Sequence, residues 1–99
     1  IGVDSNQNHL HPGSVLTSMI KRVDVATYNA MKGVEDGTWE PGLIVLGLAE
    51  DGVGAAFDEH NADLVTDEMM AAVEQASADI ISGAVTVHDY RTDKNCDAL

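Results

Sequence analysis

Ile1-Gly2-Val3-Asp4-Ser5-Asn6-Gln7-Asn8 opens the chain, and Val15-Leu16-Thr17-Ser18-Met19-Ile20-Lys21-Arg22-Val23-Asp24 follows after a polar interval. Asp4 directly follows a short apolar run, and Lys21 closes a second one. In open α/β sheets, ligands bind outside the carboxyl ends of the strands. If the two runs are neighbouring strands, a carboxylate acceptor and an ammonium donor reach the same crevice. The fold therefore turns on whether residues 15–21 form a strand.

Local pattern leaves that point open. Leu16, Ile20, Val23, Ala26 or Thr27, Ala30 and Val34 fit a helical stripe, which would make one long helix from Ser14. Val15, Thr17 and Ile20 favour a strand instead, and a loop containing Pro12-Gly13 precedes them. The remaining chain is plainer. Thr38 to Gly42 forms a turn holding Trp39 and Pro41. Leu43-Ile44-Val45-Leu46-Gly47-Leu48 is a continuous apolar run of strand length. Glu50-Asp51-Gly52 is turn chemistry, so residues 43–48 and 53–57 read as two strands of a hairpin. Gly47, Gly52 and Gly54 suggest a bulge or a close backbone approach within it.

Asp58 to Thr66 is a polar loop. A helix over 67–82 then has Thr66 as its cap, Asp67 and Glu68 in its first turn, and Gly83 as its stop. Met69, Met70, Val73, Ala76, Ile80 and Ile81 give it an apolar face. A short strand over 84–88 and a polar tail to Leu99 complete the chain.

The 99 residues make at most one small domain, and 44% hydrophobic with 4% aromatic residues describes a thin, aliphatic, globular core. Five basic residues against 17 acidic ones give a formal charge of −12. Nucleic-acid binding needs a basic footprint, which is missing, and an anionic membrane surface would repel such a chain. No run is long and apolar enough for a transmembrane helix, and no signal peptide is visible. The start on Ile1, inside a strand-like run and without Met, leads us to expect a fragment.

Three segments carry a family resemblance: Ile-Gly-Val-Asp-Ser-Asn-Gln-Asn (1–8), Val-Leu-Thr-Ser-Met-Ile-Lys-Arg-Val-Asp-Val-Ala (15–26) and Leu-Gly-Leu-Ala-Glu-Asp-Gly-Val-Gly (46–54). In this order they resemble the basic membrane protein (PnrA-like) family, whose members are periplasmic, often lipid-anchored substrate-binding proteins of ABC transporters. The resemblance covers nearly the whole chain and matches the last third of a family member. It implies an α/β fold, the C-terminal portion of a two-lobed type I periplasmic-binding fold with a mostly parallel sheet flanked by helices. It implies a strand followed by a helix over the open stretch, giving strand 15–20 and helix 24–35; the residues themselves give strand 1–3, Asp24 as a candidate N-cap and Gly37 as the stop. It also implies uptake of a purine nucleoside or related small molecule from a cleft between lobes, without catalysis. The expected partners are that ligand, an ABC permease in the membrane and the N-terminal remainder of the protein. An extracytoplasmic sensor of the same fold is the alternative.

The resemblance assigns Asp4 to the ribose hydroxyls and Lys21 to the sugar. The chemistry agrees, since a carboxylate accepts two hydrogen bonds and a cis-diol offers two donors. Asn6 stands where the family more commonly has Asp, and Asn6 and Thr17 are weaker ligand candidates. Gln7 and Asn8 read as loop residues, and Arg22 as a surface or lobe-packing cation on the other side from Lys21. Trp39 could stack on a base, but its place in a turn favours cover of a core edge; in the family the base-stacking aromatics lie mostly upstream of this portion.

His9, His11, His60 and His88 lack the ligand spacing of a zinc site, and we expect exposed loop histidines and no metal. Asp51-Gly52-Val53-Gly54 lacks the ligand pattern of a calcium loop and reads as a turn. Without a general-base pair or a nucleophile elbow no enzyme is expected, and no cofactor. Cys96 is the single cysteine, so any disulfide needs an upstream partner; a free tail thiol is the alternative.

Overall fold

A computed structural model describes residues 1–95, and Cys96 lies outside the described residues. Three strands form one mixed sheet in the order β1-β2-β3: β1 (Gly2–Asp4), β2 (Ser18–Lys21) and β3 (Val53–Ala55). β1 and β2 pair in parallel, with Gly2 opposite Ser18, Val3 opposite Met19 and Asp4 opposite Ile20. β2 and β3 pair antiparallel, with Met19 opposite Ala55, Ile20 opposite Gly54 and Lys21 opposite Val53. Residues 15–21 are thus not the start of a long helix. Residues 15–17 lead in, and a strand of four residues follows. The stripe at helical spacing gives way because β1 and β3 supply partners to both edges of β2, and a ladder outweighs a weak local preference.

α1 (Val23–Asp36) leaves the carboxyl end of β2. It begins one residue before the expected N-cap, so Asp24 lies in the first turn and not at the cap; the cap position is Arg22, without a side-chain bond. Asp24 still complements the positive end of the helix dipole. At the other end Gly37 adopts φ 71°. Its N–H donates to the Val34 carbonyl at 3.3 Å, and the Thr38 N–H donates to Gly33 at 2.8 Å. This nested pair of bonds requires a left-handed residue, which glycine takes without side-chain strain.

α2 (Asp67–Ser82) occupies the expected range. The Thr66 hydroxyl accepts from the Met69 N–H at 3.2 Å, two acids fill the first turn, and Gly83 ends the helix at φ 79°. Each signal acts within one turn of the helix, so no distant partner is needed to set its ends. Met19, Lys21, Val53 and Ala55 share one face of the sheet by register. An open cleft of about 670 Å³ separates that face from Met70, Val73 and Ile81 of α2.

Two elements differ from expectation. The run 43–48 forms no strand, and the hairpin 43–57 does not exist. Leu43 and Val45 are 94% and 75% exposed. The segment is tied back by a turn, in which Gly52 N–H donates to Gly47 at 2.9 Å and the Glu50 carboxylate accepts from Gly47 N–H at 2.8 Å. A Cβ on Gly52 would overlap Leu46, so the close approach inferred from the glycines is real at this position. The second half of the expected hairpin, shortened to Val53–Ala55, pairs with β2 instead. The reason is that a wholly apolar strand needs cover on both faces, whereas β2 offered an open ladder. Residues 84–88 are likewise not a strand, and the tail contains a one-turn helix, α3 (Tyr90–Asp93), capped by the Asp89 carboxylate.

Burial is inverted relative to an ordinary domain. Among the described residues Ala56 is the one buried apolar residue, while Asn8, Ser18 and Asn61 are fully enclosed. Among the described residues no helix is long and apolar enough to cross a membrane.

Candidate ligand site

The site is built at the carboxyl ends of β1 and β2. The register places Asp4 beside Ile20, with Lys21 one residue further and nominally on the alternate face. The two nevertheless meet, with Lys21 Nζ 2.8 Å from Asp4 Oδ1. Asp4 leaves the strand at φ 74°, a left-handed conformation that re-aims its side chain as the chain turns away. Such a conformation costs a non-glycine residue about 1–3 kcal/mol and persists only where the surroundings enforce it. Asp is among the residues that tolerate it best. Both side chains are more than half exposed, at 57% and 63%. Together they present a net-neutral acceptor–donor pair to solvent in a chain of charge −12.

Arg22, the residue after β2, takes no part in this pair and contacts Asp51 instead. Its Nε lies 3.0 Å from Asp51 Oδ1, a contact without hydrogen-bond alignment, and its backbone N–H donates to the Gly52 carbonyl at 2.9 Å. Arg22 therefore secures the turn before β3.

Asn6 and Thr17, the weaker candidates, are engaged in the scaffold. Asn6 Nδ2 donates to Asp58 Oδ2 at 2.6 Å, and its Oδ1 accepts from the Asn8 N–H at 3.0 Å. The Thr17 hydroxyl donates to the Ala56 carbonyl at 2.9 Å. The loop residue Asn8 is buried: its amide donates to Asp58 Oδ2 at 3.1 Å and to Ala56 O at 3.3 Å, and its Oδ1 accepts from Ser18 Oγ at 2.8 Å. Asn61 Nδ2 donates to Leu16 O at 2.8 Å and Ala56 O at 3.0 Å, and its Oδ1 accepts from the Asp58 N–H at 2.9 Å. Sequence reasoning misses Asn8, Ser18, Asp58 and Asn61. The available signal is Ser18, a hydroxyl inside an otherwise apolar strand, which must find partners if buried.

Asp58 is the charged member of this network. Hydrogen bonding holds its carboxyl below the ordinary value near 3.8, the Asn6 amide contributing most. A carboxyl whose folded-state value is depressed stabilises the fold above its unfolded value, and that contribution is lost as pH falls through the folded value. The expected result is a loosening of loop 5–8 on acidification below the ordinary carboxylate range. Carbon-13 titration should place Asp58 below a free aspartate, and Asn6→Ala should move it back upward. An unmoved midpoint would show that the 2.6 Å contact has no weight in solution.

Glu59 and His60 lie beside Asp58, each with a ligand-type atom within 4.8 Å of the others, and the His9 ring is 6.3 Å from that of His60. Both Asp58 oxygens are committed, Oδ2 to Asn6 and Asn8 and Oδ1 to the His60 N–H. A cation there would compete with the scaffold.

Comparisons with known proteins identify the family. The model of the PnrA-like ABC transporter substrate-binding proteins matches residues 1–91. An uncharacterized lipoprotein of Pyrococcus abyssi is 52% identical over 54 residues, covering 54% of this chain and 13% of the relative. Basic membrane protein D of Borreliella burgdorferi is 40% identical over 62 residues, covering 61% of this chain and 18% of the relative. A crystal structure of an ABC transporter solute-binding protein from Aeropyrum pernix superimposes with a TM-score of 0.63 at 28% identity. That match covers 92% of this chain and 34% of the solved one. The chain thus spans about a third of the solved relative and less than a fifth of these curated ones. The matching family is one of transport receptors and not of enzymes. The chain belongs to the PnrA-like family of ABC transporter substrate-binding proteins.

Proposed function

We propose that this chain supplies one wall of the ligand cleft of an extracytoplasmic ABC-transporter receptor, and that the ligand is a purine nucleoside. The observation that carries the reading is the 2.8 Å Asp4–Lys21 pair at the carboxyl ends of two parallel strands. A vicinal diol suits this pair: its hydroxyls donate to the Asp4 carboxylate while an oxygen accepts from the Lys21 ammonium. Each group then trades one charged partner for a polar one and stays hydrogen-bonded. The rest of the protein forms the other wall, reads the base, and covers apolar side chains such as Leu43 and Val45 that stand exposed here. The ligand stabilises the closed receptor by its differential affinity for that form, and an ABC permease engages it. The lipoprotein relatives support a membrane-anchored location in the periplasm or cell envelope.

Calorimetry with adenosine, guanosine and inosine tests the reading, alongside mass spectrometry of small molecules released by denaturation. At least one ribonucleoside should bind, and its 2′-deoxy analogue should bind ~1–3 kcal/mol more weakly, because a buried acceptor loses its donor. Absence of heat with every nucleoside, or equal affinity for the deoxy analogue, would overturn the diol reading. Release of free base would point to a hydrolase.

A further inference from the structure

We infer that Ser18 and Asn8 are positioning residues that hold the Asp4–Lys21 pair in register for ligand capture. The inference rests on the reading of that pair as the ligand site.

The fully buried side chains among the described residues are polar, and two of the three, Ser18 and Asn8, join β2 to the loop that follows Asp4. Ser18 stands on β2, three residues before Lys21. Its hydroxyl donates to Asn8 Oδ1 at 2.8 Å and accepts from the Gln7 N–H at 3.0 Å. The strand that carries Lys21 is thereby fastened to the loop that follows Asp4. The Gln7 side chain closes the loop on itself by donating to the Val3 carbonyl at 3.1 Å, across Asp4. Asn8 passes the restraint on to Ala56 and Asp58 on the far side of β2.

Gly2 completes the device. It faces Ser18 across the parallel ladder, and a Cβ there would overlap the Ser18 hydroxyl. Glycine leaves that hydroxyl seated. Apolar packing offers no substitute, since Val3 and Met19 on the adjoining rung are 53% and 38% exposed. The left-handed Asp4 therefore depends on directed hydrogen bonds for its aim, and each bond converges on Ser18, Asn8 or Gln7.

Ser18→Ala, examined in the intact protein with inosine as the probe, tests this. Affinity should fall about tenfold, the scale of a sub-ångström misplacement of a ligand group. In an Asp4→Ala background the same substitution should cost nothing further, because its effect travels through Asp4. Equal losses in both backgrounds would show general destabilisation and overturn the inference. Gly2→Ala, which displaces the hydroxyl without deleting a polar group, should reproduce the effect. A ligand-free readout separates this inference from the nucleoside reading. The nuclear Overhauser contact between Asp4 Hβ and Lys21 Hε should be strong in the parent and weakened in Ser18→Ala. An unchanged contact overturns the positioning role whatever the ligand proves to be. A weakened contact in a protein that does not bind inosine keeps the clamp and removes only the ligand assignment.

Discussion

Asp4→Ala is expected to weaken nucleoside binding by ~2–4 kcal/mol, roughly 30- to 700-fold, measured by calorimetry on the intact protein. The size follows from what is removed. A carboxylate facing a cis-diol makes two charge-assisted hydrogen bonds, and a closed cleft excludes the water that would replace them. The deletion also leaves Lys21 without its 2.8 Å partner, so part of the loss is an ammonium held in the cleft uncompensated. Stability should respond far less. The pair is more than half exposed in the described chain, and exposed ion pairs contribute about 0–1 kcal/mol. A large loss of affinity with a small change in melting temperature is therefore the signature of a ligand group. Unchanged affinity would remove Asp4 from the site, and a large fall in melting temperature would recast it as structural.

Asn61→Ala is expected to act in the opposite sense, costing ~2–4 kcal/mol of stability through the scaffold. Its amide makes three bonds at 2.8 to 3.0 Å, to Leu16 O, Ala56 O and the Asp58 N–H, from a position that is 1% exposed. Ala56 O retains donors in Thr17 and Asn8, so its loss is mild. The Leu16 carbonyl and the Asp58 N–H are left with a methyl group in place of their partner. Desolvated polar groups without partners carry the larger share of the penalty. Denaturant or thermal unfolding checks the prediction, and a shift within about 0.5 kcal/mol would show that water replaces the amide freely.

Local signals and tertiary context divide the chain along physical lines. α2 is legible in full from sequence because Thr66, the two following acids and Gly83 act on backbone groups within a turn of themselves. The stop of α1 at Gly37 is legible for the same reason, while its start is displaced by one residue, since no side chain fills the cap. Strand pairing depends on residues distant in sequence, and there local reading fails. The run 43–48 has the composition of a buried strand but no strand partner among the described residues, and Val53–Ala55 takes the open edge of β2 instead. The placement of Asp4 and Lys21 at adjacent strand ends follows from two apolar runs each closed by a charge. Their direct contact does not, because strict alternation would part them. It arises where Asp4 turns left-handed at the end of β1.

Sequence by itself determined both ends of α2, the stop of α1 and the family. Only the tertiary structure decided that Asn8, Ser18 and Asn61, polar residues that composition would send to the surface, form the enclosed centre. The physical reason is that burial of a polar group is settled by whether partners converge on it. Those partners come from three segments separated by up to 50 positions.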